Sequence, residues 1–241
     1  MKKILVPSLI AAAIASLTSV AHAAEPESTL SFNAGVVSDY RYRGLSQSRL
    51  KPALQGGVDY ADKSGFYVGA WGSSIKWIKD AGATDGSVEV DLYGGYKGAV
   101  GDVSYDVGFL RYEYVGNKLA GVNGAVNANT NEVYGALTYG VVTAKYSHAL
   151  TDLFGTADSK GAYYLDLSAT FDLGSGYTLT PHVGRQGNYS LAYNDYSLTL
   201  TKDLGNGLAG SLMLVDTNTT SMSAGKDTAK SGVVLGLKYS F

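Results

Sequence analysis

Gly232-Val233-Val234-Leu235-Gly236-Leu237-Lys238-Tyr239-Ser240-Phe241 ends the chain, and its reading decides the fold. Val233, Leu235, Leu237, Tyr239 and Phe241 share one parity; Val234, Gly236, Lys238 and Ser240 share the other. A strand turns alternate side chains to opposite faces, so this segment offers one face to an apolar medium and one to water. A terminal strand of this kind, ending on an aromatic residue, predicts a transmembrane antiparallel up-and-down β-barrel in a bacterial outer membrane. Tyr239 and Phe241 are the expected signal to the barrel assembly machinery, and outer-membrane lipid is the expected surround.

The same alternation recurs upstream. Leu30, Phe32, Ala34, Val36, Tyr40 and Tyr42 oppose Ser31, Asn33, Asp39, Arg41 and Arg43. Val88, Val90, Leu92 and Tyr96 oppose Glu89, Asp91 and Lys97, and Tyr163, Leu165 and Leu167 oppose Tyr164, Asp166 and Ser168. About twelve such segments are expected, an even number as in bacterial barrels. They fall near 30–43, 53–61, 65–74, 87–97, 102–115, 131–139, 141–149, 162–172, 177–186, 193–202, 207–216 and 232–241.

Between them, short Gly-, Asn- and Asp-rich turns alternate with longer connections, the asymmetry of periplasmic turns and extracellular loops. Aromatic residues near the strand ends read as two interfacial girdles, with Tyr40, Tyr42, Tyr146, Tyr163 and Tyr196 on the loop side. The segment 102–115 breaks the alternation, because Val103, Tyr105, Val107 and Phe109 differ in parity from Tyr112 and Tyr114. A β-bulge near Phe109-Leu110 would restore one apolar face and turn Arg111 and Glu113 inward.

The N-terminus carries a different signal. Met1-Lys2-Lys3 precedes an apolar run from Ile4 to Val20 and then Ala21-His22-Ala23. This predicts a signal peptide over 1–23, with Ala21 and Ala23 as the cleavage residues and a barrel over 24–241. Beyond it no apolar run reaches the ~20 residues of a spanning helix, so a membrane would be crossed by strands. The chain has 31 Gly and 19 Tyr but 4 Pro and no Cys, which favours many short strands and excludes disulfides and thiolate metal sites. With 19 Lys+Arg against 21 Asp+Glu the formal charge is −2, and removal of Lys2 and Lys3 leaves 17 against 21, or −4; nucleic acid is a poor partner.

Val37-Ser38-Asp39-Tyr40-Arg41-Tyr42-Arg43-Gly44-Leu45-Ser46-Gln47-Ser48 and Pro52-Ala53-Leu54-Gln55-Gly56-Gly57-Val58-Asp59-Tyr60 carry a family resemblance. With Gly65-Phe66-Tyr67-Val68-Gly69-Ala70-Trp71 and Glu89-Val90-Asp91-Leu92-Tyr93-Gly94-Gly95-Tyr96, the chain resembles the TorF family of porin-like proteins, also called the Gcw_chp family. Tyr112-Glu113-Tyr114-Val115-Gly116 departs from it, since a proline is expected after the aromatic run. The resemblance implies an outer-membrane barrel with a pore function and no settled substrate.

Candidate lumen selectivity residues are Asp39, Arg41, Arg43, Asp59, Glu89, Asp91, Arg111, Glu113, Lys145 and Asp166. Rings of charge set solute selectivity, whereas mixed charges that pair across a narrow lumen merely brace it. With both signs present, an arginine ladder for anions is not expected. The expected role is passive diffusion of small hydrophilic solutes through a narrow lumen. The alternative is a closed barrel with a structural or loop-mediated binding role, and a soluble β-sandwich is a weaker third reading. No catalytic, cofactor-binding or metal residues are expected. Beyond the signal segment the histidines are His148, on the outer face, and His182, on the inner face, and no Gly-x-Ser-x-Gly elbow occurs. Asp80, Asp85, Asp216 and Asn218 match no calcium loop and read as solvated loop.

Overall fold

A computed structural model describes residues 28–187 and 192–241. The expected signal peptide, with Ala21 and Ala23, and loop residues 188–191 lie outside the described residues.

All twelve expected strands form: β1 (Thr29–Val37), β2 (Ala53–Ala61), β3 (Phe66–Ser74), β4 (Val88–Val100), β5 (Val103–Val115) and β6 (Thr130–Tyr139). They are followed by β7 (Val142–Ala149), β8 (Tyr163–Ala169 continuing as Phe171–Gly174), β9 (Tyr177–Gly187), β10 (Tyr193–Gly205), β11 (Leu208–Thr217) and β12 (Gly232–Ser240). Each pairs antiparallel with its neighbours in sequence, and β12 pairs with β1 through Asn33 opposite Ser240 to Val37 opposite Gly236. The sheet is thereby a closed barrel with no free edge, the condition for every wall N–H and C=O to be satisfied without water. Beyond the last ladder residue, Phe241 and Phe32 exchange backbone bonds of 2.8 and 3.0 Å and stack their rings at 5.7 Å, sealing the seam.

The alternation predicted for the wall is seen in its exposure. Leu54, Val68, Leu137, Leu165, Leu200 and Leu235 point outward and are exposed, while Asn33, Asp59, Lys145, Asp166 and Lys238 point inward. The Gly and Tyr excess has a local cause on the inner face. Gly95 lies opposite Tyr67, Gly69 opposite Tyr93 and Gly108 opposite Tyr134. Each ring lies over its glycine, so a Cβ on Gly69 or Gly108 would sit 2.5 Å from a tyrosine atom. At the turn end, Ser175-Gly176 and Asn206-Gly207 have positive φ at both central positions, the geometry that matches the twist of a two-residue hairpin.

The apolar core lies at the loop end, inside the barrel mouth. Tyr40, Trp71, Tyr112 and Tyr114 pack there with Ile75, Ile78, Leu119 and Ala128 from the loops, and Phe154 stacks edge-on against Tyr42, Tyr112 and Tyr114. Ile78 is carried by the short helix Trp77–Asp80. The aspartate of that helix is not solvated as expected: its side chain is buried against Arg49.

Two further expectations are corrected. The first strand does not run to residue 43 but ends at Val37. Residues 38–52 leave the wall and fold inward as a small hairpin, Arg41–Tyr42 against Leu45–Ser46. Tyr40 and Tyr42 therefore face the interior instead of joining a lipid-side girdle; Tyr40 is 4 % exposed. The bulge at Phe109-Leu110 does not form, since β5 keeps unbroken register with both neighbours. Leu110, Tyr112 and Tyr114 point inward and are buried, and Arg111 and Glu113 point outward, paired with each other at 2.5 Å.

Candidate functional site

The hairpin tip carries the site. Arg43 and Gly44 turn it with φ of 47° and 79°, a pair of left-handed residues. Gly44 is required twice, because a Cβ there would meet Thr217 at 2.5 Å and Asp195 at 2.7 Å on the β10–β11 wall. The loop is tied at its base by Asp39, which accepts from Arg41 Nε at 2.5 Å, Ser46 Oγ at 2.5 Å and Ser48 Oγ at 3.1 Å. Arg41 Nη1 also donates to the carbonyls of Gly44 and Lys230 at 2.9 and 3.0 Å. The carbonyl of Gln47 accepts from Lys76 N at 2.8 Å, which joins this loop to the one after β3.

Arg43 spans the lumen. Its Nη2 donates to both oxygens of Glu132 on β6, at 2.9 and 2.8 Å, and its Nη1 donates to Gln186 Oε1 on β9 at 2.8 Å. The guanidinium lies 4.4 Å from the Tyr164 ring centroid and 4.9 Å from that of Tyr42. Tyr193 Oη donates to the Arg43 carbonyl at 3.0 Å. One planar cation thus fastens the loop to the wall across from its own strand, with Nη2 on the Glu132 carboxylate, Nη1 on Gln186 and its flat face against two tyrosine rings, a combination that a lysine cannot reproduce.

Below the hairpin a cavity of about 340 Å³ is lined by Asn33, Gln55, Asp91, His182, Thr199 and Lys238 among others. A belt of charge crosses its wall in successive ladder positions: Lys97 opposite Asp106, then Lys145 opposite Asp166. His182 Nε2 is 2.8 Å from Asp166, and Tyr164 Oη donates to Asp195 at 2.9 Å. Among the described residues no group of three or more His, Asp or Glu is placed to hold a metal ion.

Of the expected lumen residues, Asp59, Glu89, Asp91, Lys145 and Asp166 lie on the inner wall, and Asp39, Arg41 and Arg43 lie on the inward hairpin instead of a strand. Arg111 and Glu113 do not belong to this set, for they are on the outer face of β5 at the loop end. Sequence reading did not single out Glu132, Gln186, Tyr164 or Asp195. The parity of Glu132 on its strand marks it as inward, but its partner across the lumen carries no local signal.

The closed twelve-stranded antiparallel barrel is a fold that this chain shares with solved porins. The chain belongs to the family described as "Bacterial protein of unknown function (Gcw_chp)", whose model matches residues 21–241. Solved structures of similar fold include the KdgM porin, with a TM-score of 0.54 at 9 % identity over 89 % of this chain and 99 % of that one. The NanC porin gives 0.55 at 11 % identity over 88 % and 99 %. A further one is titled as the KdgM porin in complex with disordered oligogalacturonate, with a TM-score of 0.53 at 8 % identity over 89 % and 99 %. At these identities the likeness is one of fold. No curated protein matches the sequence.

Proposed function

We propose that this chain is an outer-membrane channel through which small hydrophilic solutes diffuse passively along a narrow lumen. The observation that carries the reading is the pairing of an apolar outer wall with a polar, cavity-containing interior inside a closed sheet. A barrel braced solid by paired charges would leave no space along its axis; here a cavity lined by Asp91, Asp166, His182 and Lys238 remains below the hairpin. Outer-membrane location, a cleaved signal over 1–23 and use of the assembly machinery belong to the same proposal, as does the TorF resemblance of the N-terminal motifs. Asp59, Glu89, Asp91, Lys145 and Asp166 are the wall charges that passing solutes would meet, with Asp39, Arg41 and Arg43 on the constricting loop.

A closed barrel is favoured by one observation, the fastening of the hairpin by Arg43 to Glu132 and Gln186. Swelling of proteoliposomes in isotonic arabinose and glucose separates the two readings. The channel reading expects swelling that is faster for the smaller sugar. No swelling above protein-free liposomes, with folding demonstrated by heat-modifiable gel mobility, would leave only the closed barrel.

A further inference from the structure

On its outside, the wall from β6 to β10 carries a furrow of about 600 Å³. The ladders fix its layout. Tyr146 stands opposite Leu165, Leu165 opposite Arg185 and Arg185 opposite Asn194; in the next row Leu167 stands opposite Val183 and Val183 opposite Tyr196. Leu165, Leu167 and Val183 therefore lie between two tyrosines, and all five side chains are exposed. The relief comes from the sequence: Gly135, opposite Tyr146, has no side chain, and Ala144, opposite Leu167, has only a methyl.

Arg185 gives this apolar furrow a charged end. It is exposed near the loop end of β9, and its Nη1 donates to Asn194 Oδ1 at 3.1 Å. Among the described residues it has no ion pair, whereas Arg111, also outward near the loop end, takes Glu113 at 2.5 Å. Asp216 faces outward from β11 opposite Tyr196, one strand beyond Asn194, and is not paired with Arg185. The Tyr146 ring stacks on that of Tyr163 at 6.0 Å, and its hydroxyl lies 3.1 Å from His148 Nδ1. Rings with an apolar body and a polar tip suit the level where an apolar surround gives way to a wet one. A guanidinium steadied at that level, with further N–H groups to donate, matches a phosphate.

We infer that this furrow binds one anionic, phosphate-bearing membrane lipid, with an acyl chain along Leu165, Leu167 and Val183 and the phosphate on Arg185. The inference rests on the outer-membrane location proposed above, not on conduction, and goes beyond a general lipid surround by assigning one site and the charge of its headgroup. Apolar contact alone would hold a lipid of any headgroup; the unpaired arginine supplies the preference for a negative one.

The test is native mass spectrometry of the full chain in detergent, titrated with phosphatidylglycerol or phosphatidylcholine, with folding of each variant shown by heat-modifiable gel mobility. Wild type is expected to retain one phosphatidylglycerol roughly fivefold better than phosphatidylcholine, the size of one arginine's attraction to an anionic lipid surface. Arg185→Ala should bring phosphatidylglycerol down to the level of phosphatidylcholine. Ala144→Phe, which fills the furrow, should weaken both, and Arg111→Ala should change neither. Equal retention of the two lipids by wild type, or the same loss of phosphatidylglycerol in Arg111→Ala as in Arg185→Ala, overturns the inference. So does a lipid-free dimer, in which a second copy covers the furrow, or displacement of the lipid by inorganic phosphate, which would assign the arginine to the free ion. A chain that inserts into vesicles yet shows no lipid preference leaves the membrane location standing. A folded chain that stays in aqueous buffer without detergent sinks that location and this inference with it.

Discussion

Replacing Arg43 with alanine removes the side chain that ties the hairpin tip to Glu132 and Gln186 across the lumen. Arg43 and Glu132 side chains are 6 % and 2 % exposed, so the substitution strands a buried carboxylate as well as deleting three charge-assisted hydrogen bonds. Breaking a buried pair from one side costs about 3–5 kcal/mol. The barrel ladder does not depend on this contact, so the cost falls on the seated position of the hairpin; at 1.4 kcal/mol per tenfold it shifts the seated-to-released ratio by roughly two to three and a half powers of ten. We expect Arg43→Ala to fold, to lose heat-modifiable mobility at lower temperature and to show larger, noisier single-channel conductance than wild type. Adding Glu132→Gln removes the stranded charge, so the double variant should recover part of the thermal loss while conductance stays high. Wild-type melting and wild-type conductance in Arg43→Ala would refute the latch.

Arg111→Ala should change stability by less than about 1 kcal/mol and leave conductance untouched, because its pair with Glu113 is on the outer face and open to solvent; a change in ion selectivity would restore the inward placement. Gly108→Ala should lower the melting temperature, costing about 1–3 kcal/mol, since the new methyl would sit 2.5 Å from Tyr134 Oη; an unchanged melt would mean that the ring does not need its glycine. Deleting Phe241 removes the backbone exchange and stacking with Phe32, so assembly into membranes should fall well below that of a chain lacking one residue between 218 and 231; equal assembly would contradict this. In the turn after β2, hydrogen bonds from Ser64 and Ser28 hold the Asp62 carboxyl down at about 2. A carboxyl depressed in the folded state contributes stability above its unfolded value of about 3.9, which is lost as pH falls through its folded one. Asp62→Asn should therefore match wild type near pH 2 and fall behind it above pH 4, as judged by urea unfolding; parallel curves would argue against the turn's contribution.

The wall was legible because its outer face is apolar and its lumen face polar on alternate residues, and every strand from Ala53 onward was found within a few residues of its expected bounds. The misreadings cluster at the loop end and share a cause. At the loop end the inside is the core made by Ile75, Ile78, Leu119 and Phe154 and the outer face carries the Arg111–Glu113 pair, so the polarity of the two faces reverses. Tyr112 and Tyr114 turn inward to that core and Arg111 and Glu113 outward to water, with no bulge needed. Tyr40 and Tyr42 continue the alternation of β1 past its end for the same reason, and so looked like more strand. The latch was illegible on other grounds. Arg43, Glu132 and Gln186 stand far apart in sequence and meet only because the hairpin crosses the lumen, a contact that no periodicity encodes.

The central claim, a water-filled path through a closed barrel narrowed by an inward hairpin, is tested most directly by single-channel recording of the purified full chain in planar bilayers. The account predicts discrete conductance steps from protein whose heat-modifiable mobility shows it to be folded, with larger steps when Arg43 is replaced. Folded protein that gives no steps at any salt or voltage, in wild type and in Arg43→Ala alike, would contradict it.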